Sequence, residues 1–146
     1  MKIYENPLRI RELDHVALRV RDLKKSEQFY CEVLGLCVAA RNEETGIVHL
    51  RAGTRFVDLI LLSSAMGSSG GTRMLVAGRN MHHLCLSYEP CEVERVFAYL
   101  DSLRIDHSAK PQENLGAQGV GTSIYLQDPD EHLIELKFYP PDPNPS

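Results

Sequence analysis

With 146 residues, 43% of them hydrophobic and 25% charged, the chain is long enough for one sizeable core or for two small modules that share one. A net charge of −4 leaves no global basic face, which argues against nucleic acid or an anionic membrane as a partner. The opening stretch MKIYENPLRI lacks the apolar run of a signal peptide, and no segment approaches the ~20 apolar residues of a membrane span, so a cytoplasmic location is the expectation.

Residues 1–9 are a polar lead-in with a proline. The stretch 13–20 then alternates, with Val16, Leu18 and Val20 on one face and His15, Ala17 and Arg19 on the other, which predicts a strand. Asp22 offers a helix N-cap. Leu23, Ser26, Phe29, Tyr30, Val33 and Leu34 recur at helical spacing until Gly35 supplies a stop. Three strands follow at 36–40, 47–51 and 55–62, the last two tied by Ala52-Gly53-Thr54. The predicted order of this half is βαβββ.

The stretch SSAMGSSGGTRMLVAGRN, which begins at residue 63, reads as a flexible connector or a loop over a site. A strand at 82–88 and a helix at 90–103 come next; the helix has Pro90 near its first position and Val93, Val96, Phe97, Leu100 and Leu103 on one face. A weaker strand is expected near 105–109, followed by the polar, glycine-rich KPQENLGAQGVG. Two strands at 123–126 and 132–138 then form a hairpin around an Asp-Pro-Asp turn. The tail PPDPNPS cannot build regular structure. The expected organisation is a first module over 10–62, a connector over 63–80, a second module over 81–139 and a frayed tail over 140–146.

Cys31, Cys37, Cys85 and Cys91 have no CxxC spacing, and three of them fall in apolar or helical patterns. They are expected to be buried, reduced small residues rather than a zinc-thiolate site or a disulfide framework.

The two halves repeat each other. DHVALRV stands where HHLCLSY stands, and FVDLIL stands where LIELKF stands, which pairs His15 with His83 and Asp58 with Glu135. In the last strand Leu133, Glu135 and Lys137 share one face, so Glu135 sits in mid-strand between apolar neighbours. If buried it requires a partner: a metal ion, an arginine or a proton. One His and one carboxylate per module, all on strands, nominate a metal site between the modules. Two imidazoles with one or two carboxylates suit Zn, Mn, Fe, Co or Ni.

Each residue also has a plainer reading. A single strand histidine is commonly a satisfied core or edge residue, and His82 competes with His83. Asp58 is one methylene shorter than Glu, so it binds through water, acts as a base or pairs with an Arg. Arg19 lies on the face of His15 and within reach of a bound anion, or it is solvated. His49 and Tyr125 occupy matching places in the third strands, where either serves as a donor behind the ligands or as sheet packing. His107 and His132 have no assigned role.

The stretches LDHVALRVRDLKKSEQFYCEVLGL (13–36) and SIYLQDPDEHLIEL (123–136) resemble the vicinal-oxygen-chelate superfamily. That superfamily contains glyoxalase I, type I extradiol dioxygenases, methylmalonyl-CoA epimerase and the fosfomycin and bleomycin resistance proteins. The resemblance implies an α+β fold of two βαβββ modules forming an incomplete β-barrel around a divalent metal ion (Zn, Ni, Co, Mn or Fe). His15, His83 and Glu135 match three ligand positions. Asp58 falls on the fourth, usually Glu or Gln in glyoxalase I and the epimerase. Asp58 and Glu135 would then be the catalytic carboxylates, and Arg19 and Tyr125 the substrate-binding residues. Ala17 departs from the threonine of the fosfomycin thiol transferases.

The activity implied is a glyoxalase-like lyase or isomerase acting on a small, anionic, oxygen-chelating substrate. The alternatives are an Fe(II) ring-cleaving extradiol dioxygenase and a non-catalytic protein that sequesters a small molecule. Dimerisation of two identical chains is the further expectation.

Overall fold

The computed structural model describes residues 7–69 and 80–143. The first half runs β1 (His15–Val20), α1 (Leu23–Gln28) continuing as a π-helical turn (Phe29–Val33), β2 (Cys37–Asn42), β3 (Ile47–Ala52) and β4 (Arg55–Leu61). After a short helix α2 (Ala65–Ser68) the order returns as β5 (Leu84–Tyr88), α3 (Val93–Ser102), β6 (Gln112–Gly116), β7 (Gly119–Gln127) and β8 (Leu133–Phe138). Each half makes one four-stranded sheet, in the orders β1-β4-β3-β2 and β5-β8-β7-β6. The outer pairs β1–β4 and β5–β8 are parallel and the other pairs antiparallel. This is the predicted α+β architecture of two βαβββ modules, with neither sheet closed into a barrel.

Period-2 alternation decides which face is the core. Leu18 and Val20 of β1, Val48 and Leu50 of β3, and Val57 and Leu59 of β4 are buried, as are Ile124, Leu126, Ile134 and Leu136 of the second sheet. The helical segments cover this apolar side, and Tyr30 and Leu100 fill the space between the sheets and helices in one continuous core.

Asp22 caps α1 as expected, its extended backbone letting the carboxylate accept from the Lys25 N–H at 3.1 Å. Gly35, at φ +80°, ends the helical segment while the Leu36 N–H returns to Tyr30 O. The wider π turn, closed by Leu34 N–H to Phe29 O, places the adjacent residues Phe29 and Tyr30 both inside.

The two recognisable stretches of the sequence bond to each other. The buried Tyr30 hydroxyl donates to Asp128 Oδ2 at 2.8 Å. Arg21 Nε and its backbone N–H donate to Asp130 Oδ1, and Ser26 Oγ to Asp130 Oδ2 at 3.2 Å. Asp128 also accepts from the backbone N–H groups of Asp130 and His132, and the His132 ring lies 2.8 Å from its Oδ2. The Asp-Pro-Asp turn of one module is thus docked on α1 of the other, and His132, to which the sequence assigned no role, is part of that joint. Tyr88 and Tyr99 strengthen it by donating to Leu34 O and to Glu32 O and Val33 O.

Four expectations need correction. The stretch near 105–109 is not a strand; His107 makes one isolated bridge to Leu126, and the second strand of this module is β6, within the segment that composition marked as a loop. As an edge strand whose Leu115 points to solvent at 81% exposure, β6 has no apolar alternation to betray it. Helix α3 begins at Val93 with Glu92 as N-cap, so Pro90 lies ahead of the helix. The cysteines are not uniformly buried: Cys31 is intermediate, and Cys37, Cys85 and Cys91 are exposed, because strand geometry turns Cys85 away from the core. Finally, the connector opens with α2, whose Gly67 packs on the Leu61 carbonyl so closely that a Cβ would collide with that oxygen. Residues 70–79 of the connector, 1–6 of the lead-in and 144–146 of the tail lie outside the described residues.

Candidate metal centre

The face of each sheet opposite the core carries the polar residues, and the register makes the repeat explicit. In the first sheet Asp58 pairs with Ala17 on one side and His49 on the other, with His15 two residues before Ala17. In the second, Glu135 pairs with Cys85 and Tyr125, with His83 two residues before Cys85. His15 corresponds to His83, Asp58 to Glu135 and His49 to Tyr125, position for position.

In the second module His83 Nε2 lies 2.9 Å from Glu135 Oε2. His82 contacts the other side of the His83 ring, Nδ1 to Nδ1 at 2.9 Å, so it is His83 that meets the carboxylate. Glu135 is 4% exposed. Its Oε1 accepts from Ser123 Oγ at 2.5 Å and from Lys137 Nζ at 3.2 Å. Burial opposes the charge, but the Ser123 hydroxyl, the Lys137 ammonium and the His83 ring outweigh it and hold the carboxyl below the usual range.

Tyr125 accepts from Asn114 Nδ2 at 2.9 Å. Desolvation and the Glu135 carboxylate raise its phenol above the ordinary value. The same two causes push the Cys85 thiol up to about 11.

In the first module the nearly buried Asp58 holds His49 Nδ1 at 2.7 Å through Oδ1. His15 is exposed, its Nδ1 tied to Asp14 Oδ1 at 2.7 Å. That hydrogen bond, then the charge of Asp58, raises the imidazole above its ordinary value. Arg19 points along the same face and donates to Gly67 O at 3.2 Å, so α2 steadies the guanidinium.

Two spaces open on these faces. One, of about 280 Å³, is lined by His83, Cys85, Ser87, Glu135 and Lys137. The other, of about 750 Å³, runs between the modules past His15, Arg51, Phe56, Ser87 and Gln118.

The chemistry of the donors suits a borderline divalent cation. His83 Nε2 and Glu135 Oε2, 2.9 Å apart as a hydrogen-bonded pair, are the two atoms that would face such an ion. Among the described residues no three His, Cys, Asp or Glu side chains are placed to hold one metal ion together. Within the chain His83 meets Glu135, whereas His15 is bonded to Asp14 and Asp58 to His49, so the four predicted residues form one contact pair, His83 with Glu135, and not one cluster. The match of His49 with Tyr125 is visible in the sequence, whereas the bond from His49 to Asp58 joins two strands and is not. Lys137 is the functional neighbour that alternation does signal, since period 2 puts it on the face of Glu135.

A family model for the Glyoxalase/Bleomycin resistance protein/Dioxygenase superfamily matches residues 12–136. A probable lactoylglutathione lyase of Synechocystis sp. is 27% identical over 128 residues, which cover 84% of this chain and 91% of that protein. A virulence protein from Salmonella typhimurium superposes with a TM-score of 0.69 at 25% identity, covering 91% of this chain and 100% of that one. The fosfomycin resistance protein FosX from Mesorhizobium loti superposes with a TM-score of 0.61 at 20% identity, over 90% of this chain and 95% of that one, a likeness of fold alone.

Proposed function

Since the chain belongs to the Glyoxalase/Bleomycin resistance protein/Dioxygenase superfamily, we propose that it is a divalent-metal-dependent, glyoxalase-like lyase or isomerase acting on a small anionic substrate with two neighbouring oxygens. The observation that carries this reading is the identical register of the two half-sites, His15 with Asp58 and His83 with Glu135. Chance placement of two unrelated polar residues has no reason to recur at the same offset on the same face of both sheets.

His15, His83, Glu135 and Asp58 are the residues that would hold the ion, whether Zn, Ni, Co, Mn or Fe. When bound, such a cation supplies Lewis-acid stabilisation of negative charge developing on a substrate oxygen. The chain's own residues do the rest. Glu135 stays ionised and fixed by Ser123 and Lys137. Asp58 accepts or returns a proton at its oxygens, with His49 at 2.7 Å to steady either state. Arg19 receives the anionic group of the substrate, and Tyr125, whose ring stands edge-on to His83 at 6.1 Å, contacts the substrate beside His83. The reading includes a homodimer, in which the open faces of two copies meet and unite the half-sites.

A second reading, a binding protein without catalysis, is favoured by one observation. Both carboxylates are satisfied without an ion, and among the described residues no buried side-chain polar atom lacks a partner. Elemental analysis of protein purified without a chelating tag, beside His83→Ala and Glu135→Ala, separates the two. Zn, Ni, Co or Mn near one per site, lost in both variants, is the expected result. Iron lost in both would move the reading to an extradiol dioxygenase. No metal even after reconstitution would leave the binding protein.

A further inference from the structure

Lys137 is 3% exposed, a burial that a lysine sustains only with partners for its charge and its donors. It has them. The ammonium lies 3.0 Å from Asn114 O, 3.0 Å from Ser123 Oγ and 3.2 Å from Glu135 Oε1, which accounts for its three donors. Ser123 in turn donates to the same Oε1 at 2.5 Å. One oxygen of Glu135 is therefore saturated from inside the module, while Oε2 faces His83.

The equivalent place in the first module shows that the fold does not require a cation there. Ser87 pairs with Lys137 as Arg19 pairs with Ile60, so an isoleucine stands where the second module has its lysine.

We propose that Lys137 is a positioning residue that reserves Glu135 Oε1, leaves Oε2 as the single oxygen offered beside His83, and by its fixed positive charge weakens the hold of this half-site on a divalent cation. The inference rests on the metal-binding reading above and deepens it. The two effects of removing Lys137 oppose each other, and magnitude decides between them. Freeing the Glu135 side chain relaxes one rotamer-rich group, a loss of a few-fold. Removing a unit charge a few ångströms from a doubly charged ion is worth about tenfold in affinity even at the dielectric of bulk water, and more on a partly buried face. The charge effect wins, so a neutral residue should tighten binding. Native affinity is thereby moderated, and an anionic substrate restores part of the negative charge that Lys137 cancels.

The test is titration of the apo-protein with Mn²⁺ alone, following the free-ion signal by electron paramagnetic resonance. Lys137→Met should bind Mn²⁺ about tenfold or more tightly than the native chain, whereas Lys137→Arg and Ser123→Ala should stay within about threefold of it. Far-UV circular dichroism and melting establish that each variant is folded, and Lys137→Gln serves if the Met variant is not. Unchanged or weaker binding by the folded neutral variants overturns the inference while leaving the metal reading intact. Binding by Lys137→Met but not by the native chain supports the inference and removes the metal reading for the native protein. No binding by either overturns both.

Discussion

Replacing Tyr30 by Phe removes one oxygen from a fully buried side chain and with it the bond to Asp128 that joins the two modules. No methylene is lost, so no cavity term enters. A hydrogen bond to a charged acceptor contributes about 1.5–3 kcal/mol. Asp128 keeps its bonds from the Asp130 and His132 backbone and from the His132 ring, so the lower half of that range applies, about 1.5–2 kcal/mol. For a chain of this length that corresponds to a fall in Tm of about 3–8 °C.

The assay is urea denaturation of the native chain, Tyr30→Phe, Asp128→Asn and the double variant, at pH 7 and at lower pH. The cycle should return a coupling of at least ~1 kcal/mol. The pH dependence has a definite sign. Burial works against the Asp128 charge, but His132 and Tyr30 outweigh it and lower the carboxyl below its ordinary value. A depressed carboxyl stabilises fully above the unfolded value of about 4, and the contribution fades as pH falls through the folded value. The gap between native and Tyr30→Phe should therefore narrow below about pH 4. A loss under ~0.5 kcal/mol at pH 7 with negligible coupling would mean that this bond does not hold the modules together.

Two further outcomes are expected. Gly67→Ala drives a methyl into the Leu61 carbonyl and should cost about 1–3 kcal/mol, displacing α2 from Arg19; a melt indistinguishable from the native chain would refute the close packing. Cys85, exposed but with a thiol raised to about 11, should react with iodoacetamide at pH 8 on the order of a hundredfold more slowly than free cysteine. Site-resolved mass spectrometry checks this, with Cys37 and Cys91 as references in the same digest, and labelling of Cys85 at the free-cysteine rate would contradict it.

Much of the fold was legible because the residues that build it alternate cleanly. β1, β4 and β8 are bounded by turn residues and carry apolar side chains at every second position, and their repeat matched Asp58 to Glu135 and His49 to Tyr125, the correspondence that the strand register displays. β6 was illegible for the opposite reason: an edge strand with Gln112, Glu113 and Asn114 buries no continuous apolar face. The exposure of Cys85 followed from the same alternation that placed His83, but its small apolar character masked it. His49 and Lys137 lay on the right faces by sequence. What they touch depends on Asp58, Asn114 and Ser123, which come from neighbouring strands and meet them only in three dimensions.

The joint between Tyr30, Ser26 and Arg21 on one side and Asp128 and Asp130 on the other is built from none of the residues that line the polar faces. Part of each recognisable stretch thus spells joinery, beside His15 and Glu135 on the polar faces. Once the turn is seated on the helix, the polar faces are a separate page. Changes at Ala17, Asp58, Cys85 or Lys137 rewrite what those faces can hold while the carpentry that aligns the modules stays untouched. Alignment of the modules and the make-up of the polar faces are thus carried by different side chains, so substitutions on those faces leave the latch intact.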